Sequence, residues 1–265
     1  MPTTPPLSLQ LYTVREALDA DFAGTMQRVS DIGFTRVEPY DFLARADALA
    51  TALAATGLTA PSAHLRFLDA DSRAGASLDD VFATAAQLGI PTVIDPFVDP
   101  AKWLSVADIQ STADALNAAA EVAVKHGIRI GYHNHWFELE SVIGGRTGLE
   151  ILSSHLNPAV ILELDTYWAA AAGQDLVALL GRLGDRVRLL HIKDGPIEPD
   201  PASQQAVGHG NMPVWEIIAA ATSLELAVVE LDDFAGEMFD AVIDSFAYLT
   251  GGAVNAGAVN TGASA

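Results

Sequence analysis

The chain has 265 residues, half of them hydrophobic and 18% charged, with 14 basic against 34 acidic side chains and a formal net charge of −20. That apolar share excludes a disordered acidic chain, and the acidity excludes a nucleic-acid backbone or an anionic membrane surface as partner. The absence of cysteine excludes a disulfide framework, a thiolate metal site and a Cys nucleophile.

The opening Met1-Pro2-Thr3-Thr4-Pro5-Pro6 has no basic region leading into an apolar core, and no apolar run approaches about 18 residues. A signal peptide and a membrane span are therefore not expected, and the expected location is cytoplasmic. From there, short apolar runs alternate with amphipathic, Ala/Leu-rich stretches. The pattern predicts strands over 7–11, 36–39, 60–64, 92–96, 128–132, 160–164, 187–192 and 227–231. Between and after them it predicts helices over 22–32, 44–56, 78–88, 106–126, 147–155, 175–182, 213–222 and 236–249. Gly33-Phe34-Thr35, Gly57-Leu58-Thr59, Gly89-Ile90-Pro91 and Gly127-Ile128-Arg129 repeat one grammar, a helix C-cap feeding a buried parallel strand.

Eight strands, each followed by a helix, predict an α/β protein folded as a single-domain (β/α)8 TIM barrel over residues 1–250. The alternative, an open doubly wound sheet, would carry a phosphate-binding Gly-rich turn after the first strand. The chain has Gln10-Leu11-Tyr12-Thr13-Val14-Arg15 there instead. Residues 251–265 form a low-complexity C-terminal tail expected to carry no function.

In such a barrel the chemistry lies at the C-terminal ends of the strands. Those ends carry Gln10, Tyr12 and Arg15, then Glu38, His64 and Asp95, then the dense run Tyr132-His133-Asn134-His135-Trp136-Phe137-Glu138. The last three strands contribute Glu163, Asp165 and Trp168; His191, Lys193 and Asp194; and Glu230, Asp232 and Asp233. Any one of these residues is ordinary as a rim hydrogen-bonder or a helix N-cap. Together they crowd carboxylates and imidazoles at one mouth with few fixed cations, chiefly Arg15 and Lys193. One divalent metal ion (Mn, Mg, Co or Zn), held by mixed oxygen and nitrogen donors, resolves that conflict.

SLQLYTVR at 8–15, GYHNHWFELE at 131–140, LELDTYWAAAAG at 162–173, LLHIKDG at 189–195, VGHGNM at 207–212 and VVELDD at 228–233 together resemble the xylose isomerase-like TIM barrel, sugar phosphate isomerase/epimerase superfamily. The YHNHxFE string points to one branch of it. The resemblance implies one divalent ion held by Asp165, His191, Glu230 and a strand-5 group. That group is Glu138, which closes YHNHWFE, or His133 if the loop does not fold back.

The same resemblance implies a metal-dependent isomerase or epimerase of a small-molecule sugar or keto-sugar, abstracting a proton next to a carbonyl through an enediolate. Glu138, Glu230 and His133 are then the catalytic candidates, and His64, His135, Trp136, Trp168 and Lys193 the substrate-binding ones. Expulsion of a β-oxygen substituent from the same intermediate would instead make a lyase or dehydratase acting on a keto-inositol or 3-keto-glycoside. A barrel that only binds sugar would show a broken ligand set. A DNA-repair endonuclease would need a basic groove, which the net charge opposes. The Gly-rich loop at 207–211 lies where barrels often cradle phosphate, but it has no Lys or Arg, so an unphosphorylated sugar is expected. A homo-oligomer is compatible with the sequence.

Overall fold

Each helix that ends in glycine does so because the chain must turn back sharply toward the next strand. Gly57 and Gly127 take the left-handed conformation (φ 73° and 71°) that a Cβ disfavours, and the Gly57 amide donates to the Leu53 carbonyl at 3.0 Å. In the computed structural model, which describes residues 5–251, this grammar delivers eight parallel strands: β1 (Leu7–Gln10), β2 (Val37–Glu38), β3 (Ala63–His64), β4 (Thr92–Asp95), β5 (Arg129–His133), β6 (Ile161–Asp165), β7 (Val187–Ile192) and β8 (Leu226–Val229). Their order around the sheet is β2-β1-β8-β7-β6-β5-β4-β3. Isolated parallel bridges Arg36↔Thr59 and Tyr40↔His64 join the two outer strands, so the sheet is a nearly closed barrel flanked by helices. The tail expected over 251–265 lies, beyond Gly251, outside the described residues.

The predicted helices are all present, and further elements appear between strand and helix. Short helices Arg15–Ala20, Phe137–Glu140 and Thr166–Ala171 follow β1, β5 and β6, and Val142–Ile143 pairs with Arg146–Thr147 in a small antiparallel hairpin. These pieces are too short to show a period. Thr166–Ala171 starts where it does because the Asp165 side chain accepts the Trp168 amide at 2.9 Å.

Strand alternation builds the interior in tiers. Ile94, Ile161, Leu189, Leu226 and Val228 form a buried apolar plug. Two and four residues further along β6, the chain places Glu163 and Asp165. The same steps along β7 give His191 and Lys193, and beyond Val228 they give Glu230 and Asp232. The charged tiers therefore stand directly on an apolar one. No helix among the described residues is long and apolar enough to cross a membrane.

Candidate functional site

Register decides which side chains meet. β5 pairs His133 with Glu163 of β6, and β6 pairs Asp165 with His191 of β7. The predicted end of β5 at residue 132 falls one residue short, and so does that of β6 at 164. Both strands run on to a charged or imidazole residue because the ladder continues through it. Glu230 lies just past β8, its amide donating to the Ile192 carbonyl at 3.2 Å.

His133, Asp165, His191 and Glu230 are buried and offer donor atoms that all lie within 4.8 Å of one another. Asp165, His191 and Glu230 thus come together as the sequence suggested. Glu138 does not join them. Its Oε1 accepts the Tyr132 hydroxyl at 2.7 Å and its Oε2 accepts the His135 amide at 2.9 Å. Both oxygens pin the loop after β5, and burial pushes the carboxyl up to about 8. The alternative strand-5 donor, His133, is the one in the group.

Lys193, 1% exposed, places its ammonium 2.9 Å from Asp165 Oδ2, 2.8 Å from Glu230 Oε2 and 2.7 Å from Asp232 Oδ2. Burial alone would lower its pKa, yet these three carboxylates hold it well above the ordinary lysine value. Burial raises Asp165 to about 6 against the pull of Lys193. It would raise Glu230 too, but Lys193 and His191 hold that carboxylate well below its usual range. Burial, reinforced by His191, pushes His133 well down, whereas Glu163 and Glu230 overcome burial and hold His191 well above the usual imidazole value.

The donor set fits a divalent cation. Asp165 Oδ2 accepts no correctly angled hydrogen bond despite being fully buried, and two carboxylates with two imidazoles are the mixed oxygen and nitrogen donors that such ions take.

Above the group opens a cavity of about 620 Å³. His64, His133, His135, Trp136, Trp168 and Glu230 line it, so the predicted substrate contacts other than Lys193 face one space. The Trp136 and Trp168 rings sit 5.0 Å apart, and His135 stacks on Phe137 at 5.6 Å. Burial together with Lys193 lowers His135 to about 4, and its Nδ1 has no hydrogen-bond partner.

The Gly-rich loop after β7 uses its amides internally. Asp194 accepts Gly208 N at 2.9 Å on Oδ2 and Met212 N at 3.0 Å on Oδ1. The loop is stapled to the end of β7 by a carboxylate, which is repulsive to phosphate.

Among the buried carboxylates given no role from sequence, Glu38 and Glu163 lie against the imidazoles of the group. Glu38 accepts from Gln10 Nε2 at 2.8 Å and from the Ser62 hydroxyl, and lies 2.8 Å from His191 Nε2. Glu163 lies 2.5 Å from His64 Nε2. The signal for Glu163 was available, since Leu162-Glu163-Leu164-Asp165 alternates and must point both acids inward.

The family model described as xylose isomerase-like TIM barrel matches residues 26–230. The chain belongs to that family. Among solved structures, a sugar phosphate isomerase/epimerase from Parabacteroides distasonis ATCC 8503 shares 22% identity at a TM-score of 0.77, over 93% of this chain and 98% of that one. The probable 3-DHS dehydratase AsbF of Bacillus anthracis shares 16% at 0.71, over 92% and 98%. The IOLI protein, solved with a bound zinc atom, shares 16% at 0.69, over 92% and 97%. At these identities the likeness is one of fold. No curated protein matches the chain in sequence.

Proposed function

We propose that this xylose isomerase-like barrel is a divalent-metal-dependent isomerase or epimerase of a sugar or keto-sugar, working by proton abstraction next to a carbonyl. The observation that carries the reading is the convergence of His133, Asp165, His191 and Glu230 on one point at the floor of a sugar-sized cavity. These four would hold the ion, and a zinc-bound neighbour of the same fold supports it. A divalent ion there supplies Lewis-acid stabilisation of charge developing on adjacent substrate oxygens.

The chain's own residues do the rest. Trp136 and Trp168 give an apolar wall for a sugar face and exclude water. His135 lines the cavity beside Phe97 and Phe137 and is held neutral by burial and Lys193, which suits its ring to contact the substrate. Glu230 stays ionised beside Lys193, which suits it to hold the ion more than to act as the base. Asp232, which lines the cavity, is positioned to orient a hydroxyl, with Lys193 holding its carboxylate from behind. The unphosphorylated class is favoured by the loop after β7, whose Gly208 and Met212 amides are taken by Asp194; the cavity lining itself is mixed, with Asp41, Asp232 and Asp233 beside Arg15 and Arg66.

One observation favours a second reading, a lyase or dehydratase. His64, His133 and His135 all line the cavity, giving more than one imidazole to serve a departing oxygen, and one structural neighbour is named a probable dehydratase. The assembled donor set speaks against a barrel that only binds sugar. Protein loaded with Mn²⁺ or Zn²⁺ and incubated in D₂O with ketohexoses, keto-inositols and 3-keto-glycosides should place deuterium next to the carbonyl. Altered connectivity or configuration with one deuterium gained and no group lost supports the isomerase or epimerase, and loss of water or aglycone supports the lyase. Absence of both deuterium uptake and loss of water or aglycone, in every substrate class with the metal-loaded protein, refutes both readings.

A further inference from the structure

The two imidazoles of the candidate metal group each face two ways. His191 has Nδ1 2.6 Å from Glu230 Oε2 on the cavity side, while its Nε2 is 2.8 Å from Glu38 Oε1 and 3.2 Å from Glu163 Oε2 below. His133 has Nε2 3.8 Å from Asp165 Oδ2 and Nδ1 3.3 Å from Glu163 Oε2. A neutral imidazole ligates through one nitrogen and carries its proton on the other, so the proton-bearing nitrogen needs an acceptor. Both groups facing those nitrogens are fully buried carboxylates one tier beneath the donors; Glu38 is in hydrogen-bond contact with His191, while His133 Nδ1 has no hydrogen-bond partner and Glu163 Oε2 is the carboxylate beside it at 3.3 Å.

Those carboxylates are themselves held from the opposite wall. Glu38 is fixed by Gln10 of β1 and by Ser62, the residue before β3. Glu163 is fixed by His64 at the end of β3. Ties from β1 to β3 thus lock groups that touch ligands on β5 and β7.

We propose that Glu38 and Glu163 are positioning residues that set the tautomer and ring orientation of His191 and His133, turning His191 Nδ1 and His133 Nε2 toward a single metal ion. The inference rests on the metal reading above. It assigns the lower tier to hydrogen bonding, although His64, His133, Glu163 and His191 also lie within 4.8 Å of one another and could themselves hold an ion. The ion is placed in the upper group because that group offers two carboxylates, Asp165 and Glu230, against the single Glu163 of the lower one, and a divalent charge is better met by two.

The test titrates Zn²⁺ into the wild type, Glu38→Gln, Glu163→Gln, Glu38→Leu and Glu163→Leu by calorimetry. Thermal melts check that each variant is folded, and ¹⁵N spectra of the histidine rings are recorded on zinc-loaded wild type. We expect one equivalent in the wild type, an affinity about 10–100-fold weaker in the Leu variants, partial recovery in the isosteric Gln variants, and an Nε2–H tautomer for His191. The wild-type spectrum keeps the proposal falsifiable even if every variant fails to fold, because an Nδ1–H tautomer of His191 overturns it. Unchanged zinc affinity in folded Leu variants overturns it while leaving the metal site intact. A second equivalent, lost in His64→Ala, overturns it in favour of an ion in the lower tier. Wild type that binds no zinc refutes the metal reading and this inference with it.

Discussion

Removing the cation buried among the acids tests the site's electrostatics most directly. Lys193→Met keeps the length of the side chain and deletes the charge that faces Asp165, Glu230 and Asp232 at 2.7–2.9 Å. At an effective dielectric of about 20, each such contact attracts the ammonium by roughly 6 kcal/mol, and desolvating the ions takes back most of the sum. What survives is the ~3–5 kcal/mol seen when one partner of a buried pair is removed, a large part of the ~5–15 kcal/mol that holds a typical domain folded. A divalent ion at the same carboxylates would supply the missing charge. Urea unfolding should therefore show the full loss in metal-free protein and a much smaller one at saturating Zn²⁺, with zinc bound more tightly by the variant than by the wild type. An equal loss with and without zinc would refute the reasoning, because the carboxylates would then not be shared between Lys193 and an ion.

Other expectations follow from single contacts. His133→Ala should lose bound metal, measured by elemental analysis after dialysis, whereas Glu138→Gln should retain it; the reverse pattern would restore Glu138 as the strand-5 ligand. Glu138 should also leave a mark on stability. Burial pushes its carboxyl from an ordinary 4.5 up to about 8 in the folded chain, so the folded state binds the extra proton between those values, and stability falls as pH rises through that window, by at most about 1.4 kcal/mol per unit. Glu138→Gln should flatten that slope in urea midpoints taken from pH 5 to 8, and an unchanged slope would assign it to other groups. Gly210→Ala would put a Cβ 2.2 Å from both Asp194 Oδ1 and Gly195 N. The loop after β7 must then shift, at a cost of about 1–3 kcal/mol, and a melting temperature equal to wild type would show that the Asp194 staple is dispensable.

The barrel was legible because its grammar is local: a Gly-capped helix, a turn and a β-branched run, repeated. The site was legible only where a charge interrupts an apolar run, as Glu230 does after Ala227-Val228-Val229 and His191 does after Leu189-Leu190. What escaped depends on pairing across strands. Whether β5 stops at Tyr132 or His133 is settled by its register with β6, which sets His133 opposite Glu163, while Glu138 is drawn to the Tyr132 hydroxyl and the His135 amide. Glu38 and Glu163 stand at strand ends in plain view. Their partners, however, are 153 residues away for Glu38–His191 and 99 for Glu163–His64, and no sequence period encodes such contacts.

The shortness of β2 and β3 also matters for how the molecule breathes. Each has two residues, and only isolated bridges join their neighbourhoods, whereas β4–β5 and β7–β8 are each zipped through four residue pairs. Along this seam the hoop is completed by main-chain bonds at its two ends, Val37 N to the Thr59 carbonyl and Thr59 N to Thr35 at one and His64 N to Pro39 and Asp41 N to His64 at the other, and between them by the Glu38–Ser62 and Glu38–His64 side-chain ties. Amide exchange should accordingly be quickest there, through a local opening far below the free energy of global unfolding. Such an opening would separate Glu38 from His191 while the rest of the staves stayed paired. The lifetime of the assembled site would then be governed by this most sparsely paired stretch of the wall and not by the stability of the barrel as a whole.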